Sequence, residues 1–125
     1  MTPPRRKVQA YRLGWRAETI AALLLRLKGY RIIARRYVTP VGEIDLIATR
    51  GPVVAVVEVK ARSGRGGADA AESLGARQRR RIERATGAYL ANHPGSEARD
   101  IRFDLIVVGR GFLPRHLPGA WIAGD

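Results

Sequence analysis

The fold is decided by two neighbouring stretches, GEIDLIA at residues 42–48 and VVAVVEVKAR at residues 53–62. Both are rich in aliphatic and β-branched residues that favour strands, and the TRGP segment between them is typical of a hairpin turn. Yet these apolar stretches also contain Glu43, Asp45, Glu58 and Lys60. Because an ionised group is costly to bury unless something compensates its charge, these residues are the first candidates for a functional site.

The rest of the chain predicts helices and strands around this hairpin. Apolar residues at helical spacing and residues typical of strands predict two helices, at 15–28 and 72–91, and three further strands, at 30–38, 102–108 and 120–123. A glycine- and arginine-rich loop at 62–71 is expected to be mobile. This order of elements predicts an α/β fold in which helices pack on a mixed sheet.

Length and composition predict one domain. The chain has 125 residues, of which 46% are hydrophobic, enough for a single core. We expect a basic flexible arm at residues 1–12 and one folded domain at 13–125. The longest apolar run, Ile20–Leu25, is too short to span a bilayer, and no cleavage site follows it, so a cytoplasmic protein without a membrane partner is expected.

The residue types restrict which metal ions could bind. There is no cysteine, which excludes disulfides and thiolate sites. The two histidines, His93 and His116, lie beside prolines in loop-like sequence, so a zinc site is not expected. Magnesium or manganese, which prefer oxygen ligands, fit the remaining side chains.

The charge of the chain points to a polyanionic partner. Its 23 basic and 11 acidic residues give a formal net charge of +12, which favours nucleic acid as the partner, while an arginine-biased proteome is the alternative explanation. Only three of the basic residues are lysines, and one of them, Lys60, lies in the most apolar strand. Lysine is a compact charge whose pKa shifts readily, so its presence there favours a chemical role.

Strand alternation predicts how the charged residues are grouped. Glu43, Asp45 and Ile47 should share one face, with Ile44 on the other, and in an antiparallel hairpin the charged ends of both strands lie together, far from the turn. The sequence leaves the register open: one register pairs Glu43 with Glu58, and another pairs Asp45 with Glu58.

Facing carboxylates repel each other unless a proton or a cation lies between them. A divalent ion held by Asp45 and Glu58, with Lys60 nearby, would remove this conflict. The alternative is a salt-bridge cluster in which Lys60 and Arg62 neutralise the acids.

Two more polar residues are candidates for the same site. Gln78 falls on the apolar stripe of the second helix, which predicts an inward-facing amide, although an amide bonded to backbone at the helix edge is an equally simple explanation. Glu18 is expected near the start of the first helix, where interaction with the helix dipole would suffice to explain a carboxylate.

Arginines on the second helix form a candidate nucleic-acid-binding surface. Like charges at helical spacing repel one another, so a phosphate-facing role is more attractive than a solvated face. With two arginines of the preceding loop, the set could contact a nucleic-acid backbone through Arg62, Arg65, Arg77, Arg80, Arg81 and Arg84. None of these residues indicates base-specific readout.

Several of these segments resemble a known family. Asp45 followed by Glu58-Val59-Lys60 resembles the PD-(D/E)xK nuclease signature. The wider set of segments resembles the bacterial UPF0102 (YraN-like) family over residues 14–108, through GWRAE at 14–18, KGY at 28–30, GEIDLIA at 42–48, VEVKAR at 57–62 and RFD at 102–104.

That family is similar in turn to archaeal Holliday-junction resolvases with a restriction-endonuclease-like fold. The resemblance implies an αβββαβ core with Glu18, Asp45, Glu58 and Lys60 in the nuclease positions. It also implies a metal-dependent endonuclease acting on DNA, with branched DNA as a candidate substrate and a homodimer as a candidate assembly.

We accordingly expect Mg²⁺ or Mn²⁺ to be bound by Asp45, Glu58 and the backbone carbonyl of Val59, with Glu18 and Glu43 as further candidate ligands. Lys60 and Gln78 complete the expected catalytic set. The alternative is a nucleic-acid-binding protein, of DNA or RNA, that keeps the nuclease fold without catalysis.

Overall fold

The structure is a computed structural model that describes residues 5–62, 74–96, 99–109 and 113–124, with residues 5–15 described by their backbone alone. Its helices and strands, in chain order, are α1 (Arg5–Leu27), β1 (Arg31–Thr39), β2 (Gly42–Arg50), β3 (Val53–Arg62), α2 (Ala76–Asn92), β4 (Asp100–Gly109) and β5 (Arg115–Trp121). No helix in these ranges is both long enough and apolar enough to cross a membrane.

The five strands form one mixed sheet in the order β1-β2-β3-β4-β5. Strand pairs β1–β2, β2–β3 and β4–β5 are antiparallel, as short connections require, whereas β3 and β4 are parallel and α2 lies in the connection between them. The predicted α/β fold is confirmed, and the arrangement is consistent with a restriction-endonuclease-like core.

The two helices cover opposite faces of the sheet, and each closes its own apolar core. Under α1, Leu25 packs with Leu46, Val57 and Ile106. Under α2, buried residues of the helix pack against the other face, in a cluster that includes Ile47, Val56, Ile82, Tyr89, Phe103 and Trp121. Because successive residues of β3 and β4 point alternately into these two clusters, both faces of these strands are covered. This explains why their sequences are almost continuously apolar.

Several boundaries differ from those predicted. Helix α1 begins at Arg5, well before Trp15, so it includes most of the segment expected to be a flexible arm, and whether that segment moves as an arm stays a prediction. Helix α2 begins at Ala76 rather than at 72. The loop expected at 62–71 lies almost wholly outside the described residues.

The last strand is also longer than predicted. Strand β5 begins at Arg115 and includes Pro118, which breaks the sequence pattern of a strand. Proline is tolerated here because β5 is an edge strand, and the pairing with β4 shifts register between Phe103 and Leu105.

The alternation predicted for β2 is wrong at its first residues. Ile44 packs in the same cluster as Ile47, under α2, and not on the α1 side with Leu46. The break lies between Ile44 and Leu46, opposite Arg36 of β1, whose φ of 52° is in the left-handed region. A residue in that conformation interrupts the regular pleat, so Asp45 leaves the face that alternation assigns to it.

Candidate functional site

The strand register brings Asp45 opposite Glu58. Strands β2 and β3 pair from Arg50 with Val53 to Leu46 with Val57, and the same register continued one position outward aligns Asp45 with Glu58. This is the second of the two registers that the sequence left open. Beyond Leu46 the Asp45 side chain connects β2 to β3: its Oδ2 accepts a hydrogen bond of 2.8 Å from the backbone N–H of Val59.

Asp45 is half-buried and Glu58 is buried, and the two carboxyl groups lie close enough for the charge of Asp45 to act on Glu58. Two ionised carboxylates so close together repel each other, which favours the protonated form of one of them. Burial raises the pKa of Asp45. Burial, and next the charge of Asp45, raise the pKa of Glu58 to about 8. The pair therefore holds a proton near neutral pH in the absence of another cation.

Lys60 and Gln78 extend this pair into a hydrogen-bonded chain. The Gln78 amide, supplied by the first turn of α2, donates to Glu58 Oε1 at 2.8 Å and accepts from Lys60 Nζ at 3.1 Å. Lys60 Nζ itself lies 3.9 Å from Glu58 Oε1. The inward position predicted for Gln78 is thus confirmed, and its amide bonds to side chains rather than to backbone.

Glu18 reaches the same end of the sheet from α1. It is 4% exposed and lies well inside the helix, so the helix-dipole explanation, which applies to terminal turns, is wrong. Its Oε2 accepts a hydrogen bond of 2.8 Å from Arg36 Nε. Its Oε1 is 3.4 Å from Arg35 Nε but has no hydrogen-bond partner among the described residues.

A cavity of about 200 Å³ joins Glu18 to the Asp45 region. Its lining consists of side chains from α1 and the first three strands, namely Ala17, Glu18, Arg36, Glu43, Asp45, Val59 and Ala61. Glu43, exposed on β2, therefore lies at the cavity as the sequence suggested, although it does not pair with Glu58.

The oxygen atoms around this cavity fit a hard divalent ion. In the described part of the chain no three Asp, Glu or His side chains already form a metal site. A cation would, however, relieve the repulsion between Asp45 and Glu58. Glu18, whose Oε1 accepts no hydrogen bond from the described residues, lines the same cavity as Asp45. Mg²⁺ commonly uses one or two carboxylates and keeps several waters, so this donor set suits it.

The arginines expected to bind nucleic acid are only partly described. Four are exposed on α2, at Arg77, Arg80, Arg81 and Arg84. Arg62 is half-buried at the end of β3, and Arg65 lies outside the described residues. Arg77 directly precedes Gln78 and Arg81 follows it by three residues, so these arginines share the start of α2 with the amide that contacts Glu58.

A second polar cluster, built around Asp104, was missed by sequence reasoning. Asp104 is completely buried in β4 and accepts hydrogen bonds from Arg102, His116 and the backbone N–H of Gly119. Burial raises the pKa of Asp104, but these hydrogen bonds outweigh it and hold that pKa below its usual value. The loop position expected for His116 is wrong, since the residue lies in β5 and its side chain is buried.

Arg35 and Arg36 were also missed as neighbours of the site. Nothing in the pattern of β1 marks them, because a positive φ is not visible in a run such as IIARRYV. For Asp104 a signal existed: an aspartate in the middle of the apolar strand IRFDLIVV must have buried partners.

The fold and the side chains together define an α/β protein in which Asp45, Glu58 and Lys60 lie at one end of the mixed sheet, with Glu18 of α1 nearby. Comparison with known proteins then places the chain in a family. The model of the family described as "Uncharacterised protein family UPF0102" matches residues 17–108, and the chain belongs to that family.

Similar bacterial proteins cover almost the whole chain. A UPF0102 protein of Parvibaculum lavamentivorans is 56% identical over 118 residues, which are 94% of this chain and 87% of the relative. One from Rhodopseudomonas palustris strain BisB5 is 47% identical over 123 residues, 98% and 92% of the two chains. One from Caulobacter vibrioides is 48% identical over 116 residues, 93% and 91% of the two chains.

Proposed function

We propose that this protein is a metal-dependent endonuclease that cleaves phosphodiester bonds in DNA, with branched or otherwise structured DNA as the favoured substrate. The observation that carries the proposal is the convergence of Asp45, Glu58 and Lys60 at one end of the sheet, beside a cavity that also reaches Glu18. The PD-(D/E)xK signature uses the same residue types in the same order.

The carboxyl pair and one backbone group would hold the ion. Asp45, Glu58 and the Val59 carbonyl are the proposed ligands of Mg²⁺ or Mn²⁺, with Glu18 joining directly or through water and Glu43 tuning the charge of the cavity. When bound, such an ion stabilises charge on the scissile phosphate and lowers the pKa of a coordinated water. The protein would supply these ligand oxygens from positions that the two strands hold in place.

Lys60 and Gln78 would orient the reacting groups. The Lys60 ammonium is held by the Gln78 carbonyl oxygen, so it can point towards an incoming phosphate or the attacking water without leaving the site. The Gln78 N–H group fixes Glu58 at the same time. A preorganised cation close to developing negative charge contributes several kcal/mol to catalysis, roughly 3–4 in comparable cases.

Cleavage of labelled DNA tests the proposal directly. Purified protein is incubated with junction, flap and linear DNA in the presence of Mn²⁺, and Asp45→Ala and Lys60→Ala are compared with Asp100→Ala, which removes an exposed carboxylate at the start of β4. We expect both site variants to lose at least about a hundredfold in rate and the control to retain it. Cleavage that survives both substitutions would contradict the proposal.

A non-catalytic nucleic-acid-binding protein is the second candidate. It is favoured by the net charge of +12 and by the lack of a preformed three-carboxylate site among the described residues. It predicts salt-sensitive binding, no cleavage with any divalent ion, and little effect of Asp45→Ala on affinity. Competition between RNA and DNA at matched salt concentration identifies the preferred nucleic acid.

The proposal includes a homodimer, by analogy with resolvases that engage two strands. Exposed apolar residues on α1, including Leu23 and Leu27, provide one surface through which two copies could associate. Light scattering of the purified protein at several concentrations measures the mass: a value of one chain at every concentration would exclude the dimer.

A further inference from the structure

Arg36 has a backbone conformation that arginine rarely adopts. It is the one non-glycine residue with positive φ in the described ranges, at 52°. For a residue with a Cβ this conformation costs about 1–2 kcal/mol, and such strain is concentrated at functional sites. The surrounding strands must hold Arg36 in place, since it lies between the pairs Arg35–Leu46 and Tyr37–Ile44.

The conformation lets the Arg36 side chain reach Glu18 at the cavity. Its guanidinium, about a quarter exposed, donates from Nε to Glu18 Oε2 at 2.8 Å, and the Glu18 side chain is only 5% exposed. Arg36 and Glu18 line the same cavity as Asp45. A charged hydrogen bond in so buried a position is stronger than one at the surface.

This ion pair competes with the proposed role of Glu18. A carboxylate that neutralises a guanidinium is a weaker metal ligand, because the same negative charge would have to serve both cations. A phosphodiester entering the cavity would offer Arg36 another partner, since guanidinium groups bind phosphate oxygens with two parallel hydrogen bonds.

We infer that Arg36 is a positioning residue that withholds Glu18 from the metal until a phosphodiester enters the cavity, and that it then exchanges Glu18 for the phosphate. Substrate binding thereby completes the metal site. This inference rests on the proposed function, because it requires the metal to bind at Asp45 and Glu58.

Mn²⁺ affinity of the protein without DNA tests the inference independently of cleavage. Arg36→Asn removes the guanidinium but keeps a residue that tolerates positive φ, and Arg36→Gly serves the same purpose if the first variant fails to fold. Calorimetric or paramagnetic-resonance titration should show Mn²⁺ binding about tenfold more tightly in the variant, while cleavage of DNA falls by a similar factor. Arg31→Asn, an exposed arginine on the same strand, is the control for net charge.

A double-mutant comparison separates the role of Glu18 from general electrostatics. In a Glu18→Gln background, Arg36→Asn should no longer tighten Mn²⁺ binding, because no carboxylate is left to release. Unchanged affinity in the single variant, or an equal gain in the Glu18→Gln background, overturns the inference while leaving the metal site intact. Absence of Mn²⁺ binding to the unmodified protein overturns the proposed metal site as well.

Discussion

At the scale of single residues, the carboxyl pair is an arrangement that stability alone would not favour. Glu58 is buried and Asp45 is half-buried beside it, and a protein that needed only a stable sheet would have apolar residues there. Functional sites commonly retain such unfavourable contacts because the ligand compensates them. The pair should therefore lower the free energy of unfolding when no divalent ion is present.

Glu58→Gln should raise stability at alkaline pH in the presence of a chelator. The pKa of Glu58 is raised to about 8 in the folded state from 4.5, so its protonated form stabilises the fold at low pH, and that stability is lost as pH rises from about 5 to 8. Urea denaturation at pH 8.5 should show the variant more stable by roughly 1–3 kcal/mol. The difference should vanish near pH 4.

Glu83→Gln is the control for this experiment. Glu83 lies on α2 and accepts a hydrogen bond from Gly124 N–H, which the glutamine oxygen can also accept. Its substitution should leave the slope of stability against pH unchanged. If the Glu58 variant behaves in the same way, the folded protein does not raise the pKa of Glu58.

At the scale of elements, Gly42 fixes the start of β2 against α2. A Cβ at this position would lie 2.9 Å from the Arg81 backbone oxygen, and backbone atoms cannot move aside cheaply. Gly42→Ala should therefore destabilise the protein by about 1–3 kcal/mol in thermal or urea denaturation. Because the strand carries Glu43 and Asp45, the same substitution should also reduce Mn²⁺ affinity.

Gly87→Ala on α2 is the matched control for Gly42. A Cβ there meets nothing within 4 Å, and alanine favours a helix interior over glycine by about 0.5–1 kcal/mol. We expect this variant to be more stable than the unmodified protein. Equal effects of the two substitutions would show that Gly42 is not closely packed against the helix.

Asp104 connects β4 to the edge strand β5. Asp104→Asn keeps the shape of the side chain but removes the charge that pairs with Arg102 and accepts a hydrogen bond from His116, so we expect a loss of about 2–4 kcal/mol at pH 7 by urea denaturation. Since its folded pKa is below 3.8, this contribution is present above pH 4 and disappears as pH falls through the folded value. The effect should shrink at pH 3, and Asp100→Asn should show none.

At the scale of the whole molecule, four exposed arginines lie on α2, the helix whose Gln78 contacts Glu58. If the α2 arginines bind phosphates, the double variant Arg80→Ala/Arg84→Ala should weaken DNA binding. It should also reduce the slope of log affinity against log salt by about 1 for each phosphate that is no longer neutralised. Fluorescence anisotropy at several salt concentrations measures this slope. Arg26→Ala/Arg31→Ala removes equal charge from residues outside α2, so an equal change would show that net charge alone governs binding.

The sequence predicts the fold well where apolar patterning is strong. Strand β3 matches its predicted range because its many valines strongly favour a strand. The inward position of Gln78 was predictable because the apolar residues of α2 recur at regular helical spacing. The start of α1 was missed because RRKVQAYRL has no apolar periodicity. The first residues of β5 were missed because Pro118 is not typical of a strand, although an edge strand tolerates it. The propensity of a residue for strands does not show whether its strand lies at the edge of the sheet, where proline is tolerated.

The sequence singled out residues that the structure brings close together, but it did not give their geometry. Asp45, Glu58 and Lys60 stand out as charges in apolar strands, because ionised groups are costly to bury without compensation. The register that joins them depends on turn geometry, and both registers satisfied the apolar pattern. The sequence does not identify Arg36 as a site residue, because its contact with Glu18 depends on a positive φ angle that no sequence pattern predicts.

The parallel pairing of β3 with β4 has a consequence for biosynthesis. Val53 pairs with Asp100, so one side of the most apolar strand stays uncovered while the ribosome makes all of α2. An exposed strand edge can recruit another nascent chain, and contacts between residues distant in sequence form slowly. Slower translation between residues 62 and 100 should therefore increase aggregation more than an equal delay within the β1–β2 hairpin.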